Sequence, residues 1–522
     1  MDHQSGAILT ALILGVALAT GLGWVVAGLY RRRMVALMRG GPAPDAAQPT
    51  SLPAPSGPTA RLPAVLDPAA NRRASVRLLL ALTGLCLLIG LTHSWLALRF
   101  VYEVRDFSWN RLLVLGAIYA WPMVLAWALA RRWSWGRVVL GVAVYLLVMA
   151  LVVMLASDTQ QTLAGVGGWL AGVVAIPVLV TLAISASGHI RAVAPYLLPP
   201  FLLLSASSVL ALEGLARVVS DAAYPPGWLS MLLGSLGAYG TLVLLALAPW
   251  LLLAWPLYAL ARWLARSYRA KRFSDLGYLF AAYWFVVLSA STLPALQGVG
   301  AAGLTQLLPW LWIPVARVLL PRWLAPGGEP PTLLVLRVFQ RDPQVESLFD
   351  RVVERWRHTG NTLLIAGTDL VSRTLDPDDL FSFLNGRLAD RFIASEAEIP
   401  HRLAAMDRRP DPDGRYRVNE SYCFDTTWQA ALRALAGASD VALMDLRGFR
   451  PENRGCRFEL GVLAAATHIQ RVVLLQDAGT ARAAAESDIA GAPSGRFVWV
   501  EAGRLDSAKT GQVLAALFGA RT

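Results

Sequence analysis

Cysteine, histidine and acidic side chains are all scarce in this chain of 522 residues. The three cysteines, Cys86, Cys423 and Cys456, lack the paired spacing of a zinc site, a redox dithiol or a disulfide framework. The six histidines are scattered, with no partner one helical turn away, so no metal centre is expected. Charged residues make up only 16% of the chain and apolar ones 56%, which excludes an ordinary soluble protein.

What is present is long apolar runs, and they are confined to one part of the chain. Up to about residue 325 they recur at lengths able to cross a hydrocarbon core of roughly 30 Å; from Gly327 onward there are none. The runs predict about nine spans, near 6–30, 77–98, 112–130, 138–156, 168–188, 194–214, 230–258, 276–293 and 300–320. Pro309 and Pro314 should kink the last, and the seventh exceeds what one straight crossing needs. The chain therefore divides into a polytopic helical membrane bundle, residues 1–325, and a water-soluble domain, residues 327–522.

Arginines set the expected orientation. Arg31–Arg33, Arg131, Arg132 and Arg137, and the cluster Arg262, Arg266, Arg269, Lys271 and Arg272 fall in alternate connections, which places the N-terminus outside and the C-terminal domain in the cytoplasm. The expected location is the cytoplasmic (inner) membrane, with the lipid bilayer as first partner. The first span, followed by three arginines, reads as an uncleaved anchor. Residues 39–75, rich in Pro, Ala and Gly, read as a disordered loop. The net charge of +12 suggests nucleic acid, but from Gly327 onward 26 acidic residues outnumber 24 basic ones. The basicity belongs to the bundle, and no nucleic-acid partner is expected.

Ionisable residues are nearly absent from the spans; His93, Glu213 and Arg317 are the candidates. Ion- or proton-coupled transporters need such groups. The bundle can therefore be read as an anchor, as a pore or ligand sensor, or least readily as a coupled transporter.

The soluble part alternates short apolar runs with helical periodicity. Strands are expected at Leu333–Phe339, Thr362–Ala366, Val441–Leu446, Val472–Gln476 and Phe497–Val500, and helices at Gln344–Arg357, Asp379–Phe392, Thr427–Leu435, Cys456–Thr467 and Ser507–Phe518. This alternation predicts an α/β domain with a doubly wound, flavodoxin-like parallel sheet, whose ligand site lies at the carboxyl ends of the strands.

One acidic pair sits at such an end. The run Val441–Met444 leads into Asp445, and a polar loop then leads to Gly455-Cys456-Arg457-Phe458-Glu459-Leu460 at a helix start. Two carboxylates facing one crevice can attack or stabilise an anomeric carbon as a glycosidic bond breaks. The plainer reading is that an acidic residue in a first helical turn is favoured by the helix dipole alone.

Ser439–Leu446 followed by Gly455-Cys456-x-x-Glu459-Leu460 resembles the third strand and following helix of Toll/interleukin-1 receptor (TIR) domains, whose NAD-cleaving members carry a glutamate at this point. Gly455 stands where that family has tryptophan, and about 45 residues, Leu380–Asp425, have no counterpart. The same segment, extended to Gly461, is similar to nucleoside deoxyribosyltransferases, with Cys456 in place of their threonine. Both resemblances implicate Glu459, which with the strand-end Asp445 makes the candidate catalytic pair, and Phe339, Thr368, Asp369, Asn453 and Cys456 are the candidate substrate contacts. NAD or a nucleotide would be substrate or ligand, with no prosthetic group. The resemblance also implies self-association as an alternative: a non-enzymatic signalling module. The inserted Arg408–Arg415 stretch reads as a solvated surface elaboration, and Tyr416–Phe424 as an added strand or a flap.

Overall fold

The computed structural model describes residues 3–39, 65–104, 106–156, 162–185, 188–221, 224, 226–337, 348–366, 377–424, 426–493 and 495–519. The chain forms two compact units: Met1–Gly28, Ala81–Val318 and Asp376–Asp378 in one; Leu29–Leu80, Leu319–Leu375 and Asp379–Thr522 in the other.

The first unit is helical. Its elements are α1 (His3–Arg39, as far as Gly28), α2 (Pro68–Leu96, from Ala81), α3 (Trp109–Tyr119), α4 (Pro122–Arg131), α5 (Trp135–Ala156), α6 (Leu163–Ser185), α7 (Gly188–Asp221), α8 (Gly227–Arg269), α9 (Asp275–Val299) and α10 (Trp312–Leu319). Among the described residues, six helical segments are long and apolar enough to cross a membrane: Ile13–Met38, Pro68–Val101, Trp109–Arg131, Trp135–Ala156, Tyr196–Ser220 and Gly227–Arg269. The 43 residues of α8 exceed one crossing, and a non-helical Gly237 divides them into two arms. The segment 300–320, expected as one kinked helix, differs more. Gly300, with φ of 61°, ends α9, and Gly300–Leu311 then forms a 3-10 helix before α10 begins. Gly303 permits this turn to press on α9, since a Cβ there would lie 2.5 Å from the Leu296 nitrogen.

The second unit is built on a parallel seven-stranded sheet in the order β3-β4-β2-β1-β5-β6-β7, with β1 Thr332–Arg337, β2 Asn361–Ile365, β3 Phe392–Ile393, β4 Val418–Cys423, β5 Val441–Asp445, β6 Arg471–Gln476 and β7 Phe497–Glu501. All five expected strands are present, each paired in parallel. The continuous burial of β1 and β5 is what parallel strands covered on both faces require. Alternate residues feed two cores. Leu333, Val335, Val441 and Leu443 face one with the helix Ser507–Phe518; Leu334, Leu336, Ala442 and Met444 face the other with the helices Trp428–Gly437 and Arg454–Ala465.

The inserted segment supplies the two additional strands. β4 pairs with β2 and β3 extends the edge, so Tyr416–Phe424 is an added strand. The solvated reading of its arginines holds only in part. Arg415 is 1% exposed and is held by Glu354 and by Asp413, the latter at 2.8 Å, while Arg417 pairs with the buried Asp411 at 2.9 Å. The chain ties down here because Arg357 shares Glu354 and also donates to the Tyr416 carbonyl.

The core of the α/β unit also recruits residues well before position 327. Tyr30 and Met34 of α1 are fully buried in the same cluster as Val335, Val352, Trp356 and Phe518, Tyr30 meets Phe383 edge-on, and the Asn71 amide donates to Arg355 and Thr359. Met34 fills a close-packed site, so its truncation leaves a cavity. We expect Met34→Ala to destabilise this unit by about 2–5 kcal/mol, measured as a lower denaturation midpoint of the full chain in detergent.

Candidate functional site

The connections leaving β1 and β5 run over opposite faces of the sheet. The helical segment Phe349–Trp356 after β1 packs in the first core, and the helix Arg454–Ala465 after β5 packs in the second. Such a reversal opens a crevice at the carboxyl ends of the two strands. Arg337 ends β1 and Asp445 ends β5; the two are opposed in the ladder, and both are buried.

Glu459 projects from the second turn of the helix Arg454–Ala465 and is 2% exposed. Its Oε2 has no hydrogen-bond partner. Burial pushes its carboxyl up to about 8, and the Arg337 guanidinium partly opposes this. The position within the helix and the burial exclude a solvated first-turn carboxylate held by the dipole alone. Arg337 was not among the residues singled out from sequence. The available signal was a charge closing an otherwise apolar run, Leu333–Leu336, at the strand end where ligands bind.

Asp445 is engaged by its own loop. Arg447 donates to both carboxylate oxygens, Nε to Oδ1 at 2.8 Å and Nη2 to Oδ2 at 2.6 Å, and Nη1 donates to the Ala502 carbonyl at 3.3 Å. The loop is fixed further by Asp477, which accepts from the Gly448 amide. Asn453 precedes the helix but does not cap it; its Oδ1 accepts from the Arg450 amide at 2.8 Å and closes the loop. Cys456 lies in the second core with Leu460 and Leu463, and burial, together with the Glu459 charge, pushes its thiol up to about 12, so it packs as an apolar side chain. Thus Arg337 is paired with Asp445 in the ladder and acts through its charge on Glu459, while Asn453 closes the loop and Cys456 packs under the helix. Phe339, Thr368 and Asp369 lie outside the described residues.

Gly455, one turn before Glu459, leaves room for an aromatic from a neighbouring helix. A Trp428 ring carbon lies 3.9 Å from where its Cβ would be, and Trp428 meets Phe458 edge-on at 5.4 Å.

The raised Glu459 carboxyl has a signed consequence for stability. The folded chain retains a proton that the unfolded chain releases near pH 4.5, so stability falls as pH rises from about 4.5 through about 8. Glu459→Gln, which cannot ionise, should match wild type at pH 4 and be more stable at pH 9 by on the order of a few kcal/mol. Paired thermal melts at the two pH values check this.

Comparison with known protein families, with curated proteins and with solved structures finds no match to this chain.

Proposed function

We propose that the protein is a multi-pass protein of the cytoplasmic membrane whose C-terminal, flavodoxin-like domain is TIR-like, lies in the cytoplasm and cleaves or transfers the N-ribosyl bond of NAD or a nucleoside derivative. The observation that carries this reading is Glu459: a buried carboxylate with an unsatisfied oxygen, beside Arg337, where the sheet changes its direction of winding. A buried unsatisfied carboxylate is costly and belongs where charge is used. The apolar helices and the arginines between them support the membrane location and the orientation.

In this mechanism the bond between C1′ and the base nitrogen breaks, and the base departs with the electron pair. Glu459, ionised, stabilises the positive charge that develops on the ribosyl ring until water or an acceptor hydroxyl adds to C1′ and releases a proton. A substrate whose leaving base is a cationic pyridinium would itself favour the ionised carboxylate, which a neutral nucleoside would not. Trp428 supplies beside Gly455 an aromatic surface of the kind TIR domains place there in sequence.

A second reading is favoured by a specific feature: Glu459 is almost fully enclosed, and both Asp445 oxygens are taken by Arg447. A domain that binds a nucleotide or self-associates, and passes that state to the bundle without chemistry, would have such a closed site. Full-length protein in lipid vesicles, incubated with NAD and separately with nucleosides, separates the two. Release of free base supports the enzyme; saturable binding without release supports the signalling module.

A further inference from the structure

The helical unit contains its own polar anomaly, far in sequence from Glu459. His93, on α2, is 1% exposed, and neither ring nitrogen has a hydrogen-bond partner. An imidazole carries one donor and one acceptor, and leaving both unmet in an apolar interior is costly. Its ring stacks on Tyr119 of α3 at 4.1 Å. The buried Gln306 amide lies within reach of the ring without forming a hydrogen bond of good geometry. Tyr119 in turn lies beside the hydroxyl of Tyr102, which is half exposed.

The backbone around this layer is irregular on both sides. α2 ends in a π-helical turn, Ala97–Val101, one turn beyond His93. Gln306 sits within the 3-10 helix Gly300–Leu311, far longer than such helices usually run. These two segments pack together, and the Trp312 indole donates to the Thr92 hydroxyl, the residue beside His93. Single π-helical turns within α-helices are frequent at functional sites.

We infer that His93, Gln306 and Tyr119 line a buried site for a small uncharged guest able both to accept and to donate a hydrogen bond, reached past Tyr102. These side chains provide two polar ring nitrogens and an amide but no counter-charge, which suits a neutral guest and not an ion. Water has this chemistry, as does a small amide or alcohol.

The test uses the full chain in lipid nanodiscs. His93→Phe preserves ring size and the stack on Tyr119 but removes both nitrogens. With a bound guest, His93→Phe and Gln306→Leu each lower the melting temperature, and the double variant loses little more than either alone. If the nitrogens are simply unsatisfied, His93→Phe raises the melting temperature, which overturns the proposal. Should His93→Phe fail to fold, 15N-histidine solid-state NMR of the wild-type chain decides. Polarisation transfer to the His93 ring from water protons, lost in D2O, identifies water, and transfer that survives in D2O identifies a retained organic molecule. No transfer in either solvent rejects the site.

Discussion

Glu459→Gln is expected to reduce the proposed N-ribosyl cleavage by about 10²–10³-fold while the chain remains folded. The amide preserves volume but cannot supply the negative charge that an oxocarbenium-like state requires, and one preorganised electrostatic group of this kind is worth about 10²–10³ in rate. Because burial pushes the carboxyl up to about 8, the ionised fraction of free protein grows as pH approaches that value. Cleavage per unit of NAD, as kcat/KM, should therefore rise between pH 6 and 8 in wild type and lose that dependence in the variant. Release of nicotinamide measured across this range tests both statements; an unchanged rate in Glu459→Gln removes Glu459 from the chemistry. Asp445→Asn should behave differently. It weakens the charge on which the buried Arg447 depends, so its first effect should be a lower melting temperature.

Arg415→Ala should produce the largest loss of stability, about 3–5 kcal/mol. Arg415 is enclosed, and its guanidinium is shared between the buried Glu354 and Asp413, whose side chain is 10% exposed. Removing it leaves two carboxylates with reduced compensation in a medium that solvates them poorly. Arg357 still reaches Glu354 at 3.2 Å, but it is committed to the Tyr416 carbonyl as well. Chemical denaturation of the full chain, followed by a probe in the α/β unit, should show a markedly lower midpoint. Arg409→Ala, at an exposed position of the same insertion, should lie within about 0.5 kcal/mol of wild type.

The strands and helices of the α/β unit were readable because burial imposes local periods. Val441–Met444 is continuously apolar, as a strand buried on both faces must be, and Ser507–Phe518 repeats at helical spacing. The insertion was harder to read. Val418–Cys423 is only partly buried, and its sequence, Val-Asn-Glu-Ser-Tyr-Cys, has the weak pattern of a strand near the edge. Charged turns such as Arg408–Arg415 look alike in sequence whether solvated or enclosed, because partners such as Glu354 lie 61 residues away from Arg415. For the candidate site, Glu459 stood out by its spacing from a strand-end acid, whereas Arg337 enters through the pairing of β1 with β5.

The sequence by itself determined the division into an apolar helical part and an α/β part, the five main strands, the alternation that makes their sheet parallel, and the presence of acidic residues at one strand end. Each of these depends on residues close together in the chain, where apolar content and period act directly. Tertiary structure alone decided that Tyr30 and Met34 join the core of the α/β unit, that Asp445 is held by Arg447 while Glu459 retains an unpartnered oxygen, and that His93 stacks on Tyr119 near Gln306. Those outcomes depend on which distant groups are brought together and how far water is excluded from them, and composition and periodicity do not record either.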